Sequence, residues 1–247
     1  MRNGRLSEEK RIAVYLALGS NVGDRKANLR NAIAQIRNLV LEVTSKSSVY
    51  ETEPVGFSNQ RWFLNQVITV EVPAIQMPIS ETQVADDPGA TERQAAAFLA
   101  KLLDIELKMG RERTIVNGPR TIDIDLLLYG DAIIGYSKEG IDYSKEGIEH
   151  SKDSIDYSKE SIEHSKDSID YSKEGIGHSN EKNAKLFRKA EICVPHPRMH
   201  ERRFVLEPLC EIAPTVIHPV LNKTCAQMLA SLSDDSVVRL YAPNSEI

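Results

Sequence analysis

Asp123 and Asp125 sit two residues apart in Arg120-Thr121-Ile122-Asp123-Ile124-Asp125-Leu126-Leu127-Leu128-Tyr129, a short way after Arg111 and Arg113. On a strand, two carboxylates at this spacing share one face, with Cα atoms roughly 6.6 Å apart. Aspartate is a poor strand former, so a close anionic pair inside an apolar run calls for a counter-charge. Oxygen donors without nearby Cys or His favour Mg²⁺, which takes one or two carboxylates and completes its shell with water and phosphate oxygens. Arg111, Arg113 and Arg120 offer the forked donors that clamp such phosphates. A solvated strand face with surface ion pairs is the bland alternative; the apolar run and the three arginines weigh against it.

Several elements must hold this stretch in place. Ile122, Ile124, Leu126 and Leu128 alternate with the aspartates, which predicts a strand with its aliphatic face in a core. Ile12 to Leu18 reads as a buried strand, and Gly19-Ser20-Asn21-Val22-Gly23-Asp24 turns it into a helix with the apolar stripe Leu29, Ile33, Ile36 and Val40. Strands are predicted over Val43 to Tyr50 and Val67 to Val72, joined by an aromatic-bearing connection, Glu51 to Asn65, long enough to be a binding loop. Pro73 to Ala90 is an aperiodic loop. Thr91-Glu92-Arg93-Gln94 has the capping-box pattern, and the helix after it buries Phe98, Leu99, Leu102, Leu103 and Met109 before stopping at Gly110. Glu106 lies on or beside that stripe, where a carboxylate needs a partner, Lys101 or an arginine. Thr224 opens a last capped helix.

Composition narrows the field. A chain of 247 residues, 41% hydrophobic, can bury a sizeable core in one domain. Its net charge of −5 argues against a nucleic-acid protein. Cys193, Cys210 and Cys225 have no motif spacing and suit free thiols in a reducing cytosol. Residues 1–10 read as a polar tail, and no segment has the length of a membrane span. A cytoplasmic protein is expected.

From Tyr136 to Gly177 a seven-residue unit recurs, beginning Tyr136-Ser137-Lys138-Glu139-Gly140-Ile141-Asp142. Its apolar places are spaced five and two apart, which makes no coiled-coil seam. An odd period also flips the isoleucines between the faces of a strand. Residues 135–183 therefore read as a low-complexity insertion that cannot offset its ordering entropy. What it contacts cannot be read from the sequence.

Gly118-Pro119-Arg120-Thr121-Ile122-Asp123-Ile124-Asp125, followed by Val194-Pro195-His196-Pro197-Arg198-Met199 and Arg202-Arg203-Phe204-Val205-Leu206, resembles the 6-hydroxymethyl-7,8-dihydropterin pyrophosphokinase family. The resemblance covers Ile12 to Ile134 and Leu186 to about Leu232. It implies an α+β fold of ferredoxin-like βαββαβ type, one domain over 11–247 interrupted by the insertion. It also implies transfer of pyrophosphate from ATP to the hydroxymethyl group of the dihydropterin in folate biosynthesis, giving AMP.

By the same resemblance, Asp123 and Asp125 bind two Mg²⁺, and Arg111 and Arg120 join them as catalytic groups. Glu106, Arg111, Arg113, His196 and Arg202 face ATP. Thr52, Val55, Phe63, Asn65, Asp123 and Phe204 hold the pterin, the two rings on opposite faces. Asn117 stands where some relatives have tryptophan, and the repeat block has no counterpart. Two rivals stay open: a nucleotidyltransferase, which would release pyrophosphate, and a non-enzymatic scaffold tethered through the repeats.

Overall fold

The apolar runs alternate with helical stripes in the order expected, and the chain folds around its first strand. The computed structural model describes residues 10–40, 42–74, 89–111, 117–135 and 192–242. The chain divides into two units, Met1–Ile141 with Ile192–Ile247 and Asp142–Glu191, and every described residue belongs to the first. The heptad repeats lie outside the described residues.

Strand β1 (Arg11–Ser20) is paired on both sides, with β4 (Phe63–Pro73) and with β5 (Asp123–Tyr129), both antiparallel. Strands β2 (Glu42–Lys46) and β3 (Tyr50–Thr52) pair with β4, and β8 (Val238–Leu240) closes the far edge on β3. The order is β5-β1-β4-β3-β8, with β2 also on β4. One strand was expected where β2 and β3 stand. Ser47 divides it: its hydroxyl accepts the Val67 N–H (3.0 Å), in place of a backbone carbonyl.

Helices cover both faces of the sheet. Helix α1 (Arg25–Arg37) is capped by Asp24, whose carboxylate accepts the Ala27 N–H, and packs beside α2 (Ala90–Lys108). Together they bury Leu29, Ile33, Ile36, Phe98, Leu102 and Ile105 against Val14, Leu16, Ile68, Ile124 and Leu126 of the sheet. On the other face α3 (Arg203–Ile212) and α4 (Cys225–Ala230) bury Val205, Leu206, Leu209, Cys225 and Met228 against Val67, Leu127 and Leu128. A short hairpin, β6 (Ile217–His218) with β7 (Lys223–Thr224), leads into α4. The Thr224–Gln227 capping box is present there.

Three further expectations are corrected. Helix α2 begins at Ala90 behind Gly89 and has no side-chain cap, so Thr91 falls inside the first turn; Gln94 instead donates to the Pro73 carbonyl. The aliphatic face of β5 does not run through Leu128. The register with β1 slips between Tyr15 and Leu16, leaving Leu127 as an extra residue, and this bulge puts Leu128 in the second core and Tyr129 in the first. The connection read as Glu51 to Asn65 is shorter, because Glu51 and Thr52 belong to β3 and Phe63 to Asn65 to β4.

Candidate active site

Because Ile122, Ile124 and Leu126 enter the first core, Asp123 and Asp125 face the side of the sheet that carries α3. Asp123 is opposite Gly19, which in turn is opposite Asn65; Asp125 is opposite Ala17, next to Val67. Cross-strand partners share a face, so Asp123 and Asn65 flank Gly19 across two strand spacings, about 9.6 Å. A Cβ on Gly19 would lie 2.7 Å from Asn65 Oδ1 and 3.8 Å from the Phe63 ring. The missing side chain leaves a floor of bare backbone between a carboxylate and an amide. Asn65 is fixed in this row by donating through Nδ2 to the Thr52 hydroxyl (2.7 Å), both residues being buried.

Asp123 meets two guanidinium groups, Arg111 Nη1 at 2.6 Å from Oδ1 and Arg120 Nη1 at 2.9 Å from Oδ2. Arg111 also donates to Glu106 Oε2 (2.6 Å), while Glu106 Oε1 accepts the Ile124 N–H (2.6 Å). Glu106 is thus a buried carboxylate with an arginine partner, and it holds the backbone between the two aspartates. Burial works to lower the Arg111 pKa, but Asp123, Glu106 and Asp125 raise it above its ordinary value. Among the described residues, this places three carboxylates, Glu106, Asp123 and Asp125, around two guanidiniums, Arg111 and Arg120.

Arg120 is held from behind by Asn21, a residue that the sequence marked only as part of a glycine-bearing turn. The Asn21 side chain, 3% exposed, accepts the Arg120 N–H (2.7 Å) and donates to Gln60 Oε1 (2.8 Å) and the Arg61 carbonyl (3.1 Å). Gln60 then donates to the carbonyls of Phe57 (2.7 Å) and Asn117 (2.8 Å). One buried amide so joins the β1–α1 turn, the 53–62 loop and the segment leading to the aspartates. Only spatial neighbours reveal it, since the three segments are far apart in sequence. Asn117 has φ +54°, a left-handed conformation that asparagine tolerates well.

The remaining predicted residues fall into two groups. His196 is tied to the C-terminal half of β5, its N–H donating to the Leu127 carbonyl (2.8 Å). Its Nδ1 accepts the Arg198 N–H (3.2 Å). The Arg202 guanidinium stacks 5.6 Å from the centroid of Phe204, at the start of α3. Phe63 stands beside the Gly19 floor, whereas Val55 is half exposed in the 53–62 loop. Arg113 lies outside the described residues.

The two carboxylates suit a hard cation. Among the described residues no cluster of three or more His, Cys, Asp or Glu side chains could hold a metal unaided. A pair of carboxylates, with water and phosphate oxygens completing the shell, would match the pattern Mg²⁺ prefers.

Comparison with known proteins shows the family of the chain. The family model described as 7,8-dihydro-6-hydroxymethylpterin-pyrophosphokinase (HPPK) matches residues 15–214. The 2-amino-4-hydroxy-6-hydroxymethyldihydropteridine pyrophosphokinase of Bacillus subtilis is 30% identical over 203 residues, 82% of this chain and 78% of that protein. Its Aquifex aeolicus namesake is 30% identical over 210 residues, 85% and 86% of the two chains. Among solved structures, a Plasmodium falciparum HPPK-DHPS chain matches with a TM-score of 0.53 at 15% identity, covering 91% of this chain. This chain spans 46% of that longer one, and at such low identity the likeness concerns the fold.

Proposed function

The chain belongs to the HPPK family and transfers pyrophosphate from ATP to hydroxymethyldihydropterin in folate biosynthesis; from that premise we propose how its own residues do so. The observation that carries the reading is the row Asp123, Gly19, Asn65, a bare floor between a carboxylate and an amide beside the Phe63 ring. A flat, polar-edged heteroaromatic lies against such a floor, its edge paired by Asn65 and its faces covered by Phe63 and Phe204. Thr52 acts through Asn65, and Val55 lines the mouth. ATP then lies over Asp123 and Asp125, with its phosphates toward Arg111, Arg113, Arg120, His196 and Arg202.

The hydroxymethyl oxygen attacks the β-phosphorus of ATP. A new O–P bond forms, the bond between the α,β-bridging oxygen and the β-phosphorus breaks, AMP leaves, and the hydroxyl proton goes to solvent. Asp123 and Asp125 would hold two Mg²⁺, which when bound neutralise phosphate charge as Lewis acids. Arg120, aimed by Asn21, and His196 donate to phosphate oxygens as charge moves toward the leaving group. Positioning rather than a general base provides most of the acceleration. An assay of the purified protein with ATP, Mg²⁺ and the pterin should release AMP; release of pyrophosphate instead would favour a nucleotidyltransferase.

The two rings give a sharper test of the pocket. Phe63→Ala or Phe204→Ala should weaken pterin binding by about 1–3 kcal/mol while leaving ATP affinity nearly unchanged. Equal losses for both ligands by titration calorimetry would make these rings general core.

We also read the sheet as ferredoxin-like, with β2 and β3 together as its second strand and residues 135–183 as an insertion. The segment's flanks support this: Ile134 and Val194 exchange both backbone hydrogen bonds, at 2.7 and 3.0 Å. Gly135, at φ +76°, passes so close to Ile192 that a Cβ would lie 2.1 Å from its carbonyl oxygen. Ends that already meet need only a short link, and each doubling of a surface loop costs about 0.6 kcal/mol. Replacing residues 135–183 by a short Gly/Ser turn should therefore preserve the melting temperature and the rate of AMP release. Loss of either would show that the segment contributes to the domain.

A further inference from the structure

The C-terminal segment after α4 lies beyond the 15–214 region matched by the family, yet it is tied to both sides of the proposed pterin pocket. At its start, Asp234 accepts the Arg203 N–H through Oδ2 (2.7 Å) and the Arg203 Nε–H through its carbonyl (2.8 Å). Arg203 is the first residue of α3, directly before Phe204. Asp234 also accepts the Ser236 N–H (2.9 Å), which turns the chain toward β3. Val237 then pairs with Glu53, its N–H donating to Glu53 Oε1 (2.9 Å) and its carbonyl accepting the Glu53 N–H (3.3 Å).

Strand β8 follows alongside β3, placing Arg239 opposite Glu51 and Val238 opposite Thr52. Arg239 donates to Glu51 Oε2 from Nη2 (2.7 Å) and Nε (3.2 Å), and its guanidinium lies 4.8 Å from the centroid of Trp62. Trp62 immediately precedes Phe63. Arg25 completes the arrangement, donating to Glu51 Oε1 (2.9 Å) and to the Trp62 carbonyl (2.8 Å). Burial acts to raise the Glu51 pKa, but the hydrogen bonds from Arg239 and Arg25 hold it below its ordinary value.

We propose that Asp234–Tyr241 is a strap that sets the pterin pocket, with Asp234 positioning Phe204 and Arg239 positioning Phe63 through Trp62. The inference rests on the pterin pocket proposed above. Asp234 and Arg239 touch no reacting atom on this reading; they act on substrate affinity through their neighbours. Cation–π contact and charge-assisted hydrogen bonds together make an effect of about tenfold reasonable.

The test measures KM for each substrate, kcat and the melting temperature in wild type, Arg239→Ala, Arg239→Lys and Asp234→Asn. Arg239 is exposed, so Arg239→Ala is expected to fold. The strap predicts a KM for the pterin raised about tenfold, a KM for ATP within twofold of wild type, and a kcat little changed. Arg239→Lys, which keeps the charge but not the planar stack, should restore affinity only in part. Direct titration of the pterin into the proteins should reproduce the shift. A folded Arg239→Ala variant with an unchanged pterin KM, or equal rises for both substrates, would overturn the strap. A wild-type protein that turns over ATP without binding the pterin would overturn the pocket itself and this inference with it.

Discussion

Asp125→Asn should lower the rate of AMP formation on the order of a thousandfold or more while the protein stays folded. The amide has nearly the shape of the carboxylate but lacks the charge that holds a divalent cation against the phosphates. Asp123→Asn should be equally inactive and less stable, because Asp123 also carries Arg111 at 2.6 Å and Arg120 at 2.9 Å. Arg111 is buried, and a buried guanidinium that loses a partner carries a penalty an exposed one does not. Asp125→Asn is therefore the cleaner probe. Mn²⁺ titration by paramagnetic resonance with a non-hydrolysable ATP analogue gives a readout apart from turnover: wild type should bind the ion and both variants should not. Near-normal turnover at saturating Mg²⁺ would remove the carboxylate pair from the mechanism.

The parts of this site that could be read in one dimension are those whose signal is local. The aspartate pair, the arginines before it and the alternating aliphatics around it occupy neighbouring positions, so strand periodicity alone places both carboxylates on one face. The phase of that same strand beyond Leu126 was not legible. Nothing in Leu126-Leu127-Leu128-Tyr129 distinguishes the bulged residue; the register with β1 does. Asn21, Gln60 and the floor at Gly19 depend on which segments the sheet brings together, and their sequence separations hide this. Strand β8 escaped notice for another reason: Val238-Arg239-Leu240 is too short for its periodicity to stand out, and its charges make sense only opposite Glu51.

Glu106→Ala should destabilise the protein by about 3 kcal/mol in the absence of any ligand. The family resemblance places this glutamate at the nucleotide. In the fold it is 2% exposed, with one oxygen on Arg111 and the other on the Ile124 N–H. Alanine would take the partner from a buried guanidinium, leave an edge-strand N–H without its acceptor, and open a cavity beside Ile124. Because Arg111 keeps Asp123, the loss belongs at the lower end of what breaking a buried pair costs. Glu106→Gln should lose less, since its amide oxygen can still accept the Ile124 N–H while the charge is gone. Urea unfolding of the ligand-free proteins decides the matter. A residue that only contacts ATP would leave the midpoint where it is in wild type, whereas a carboxylate holding the strand between Asp123 and Asp125 lowers it in the order Gln, then Ala. Unchanged midpoints in both variants would return Glu106 to a purely nucleotide-facing role.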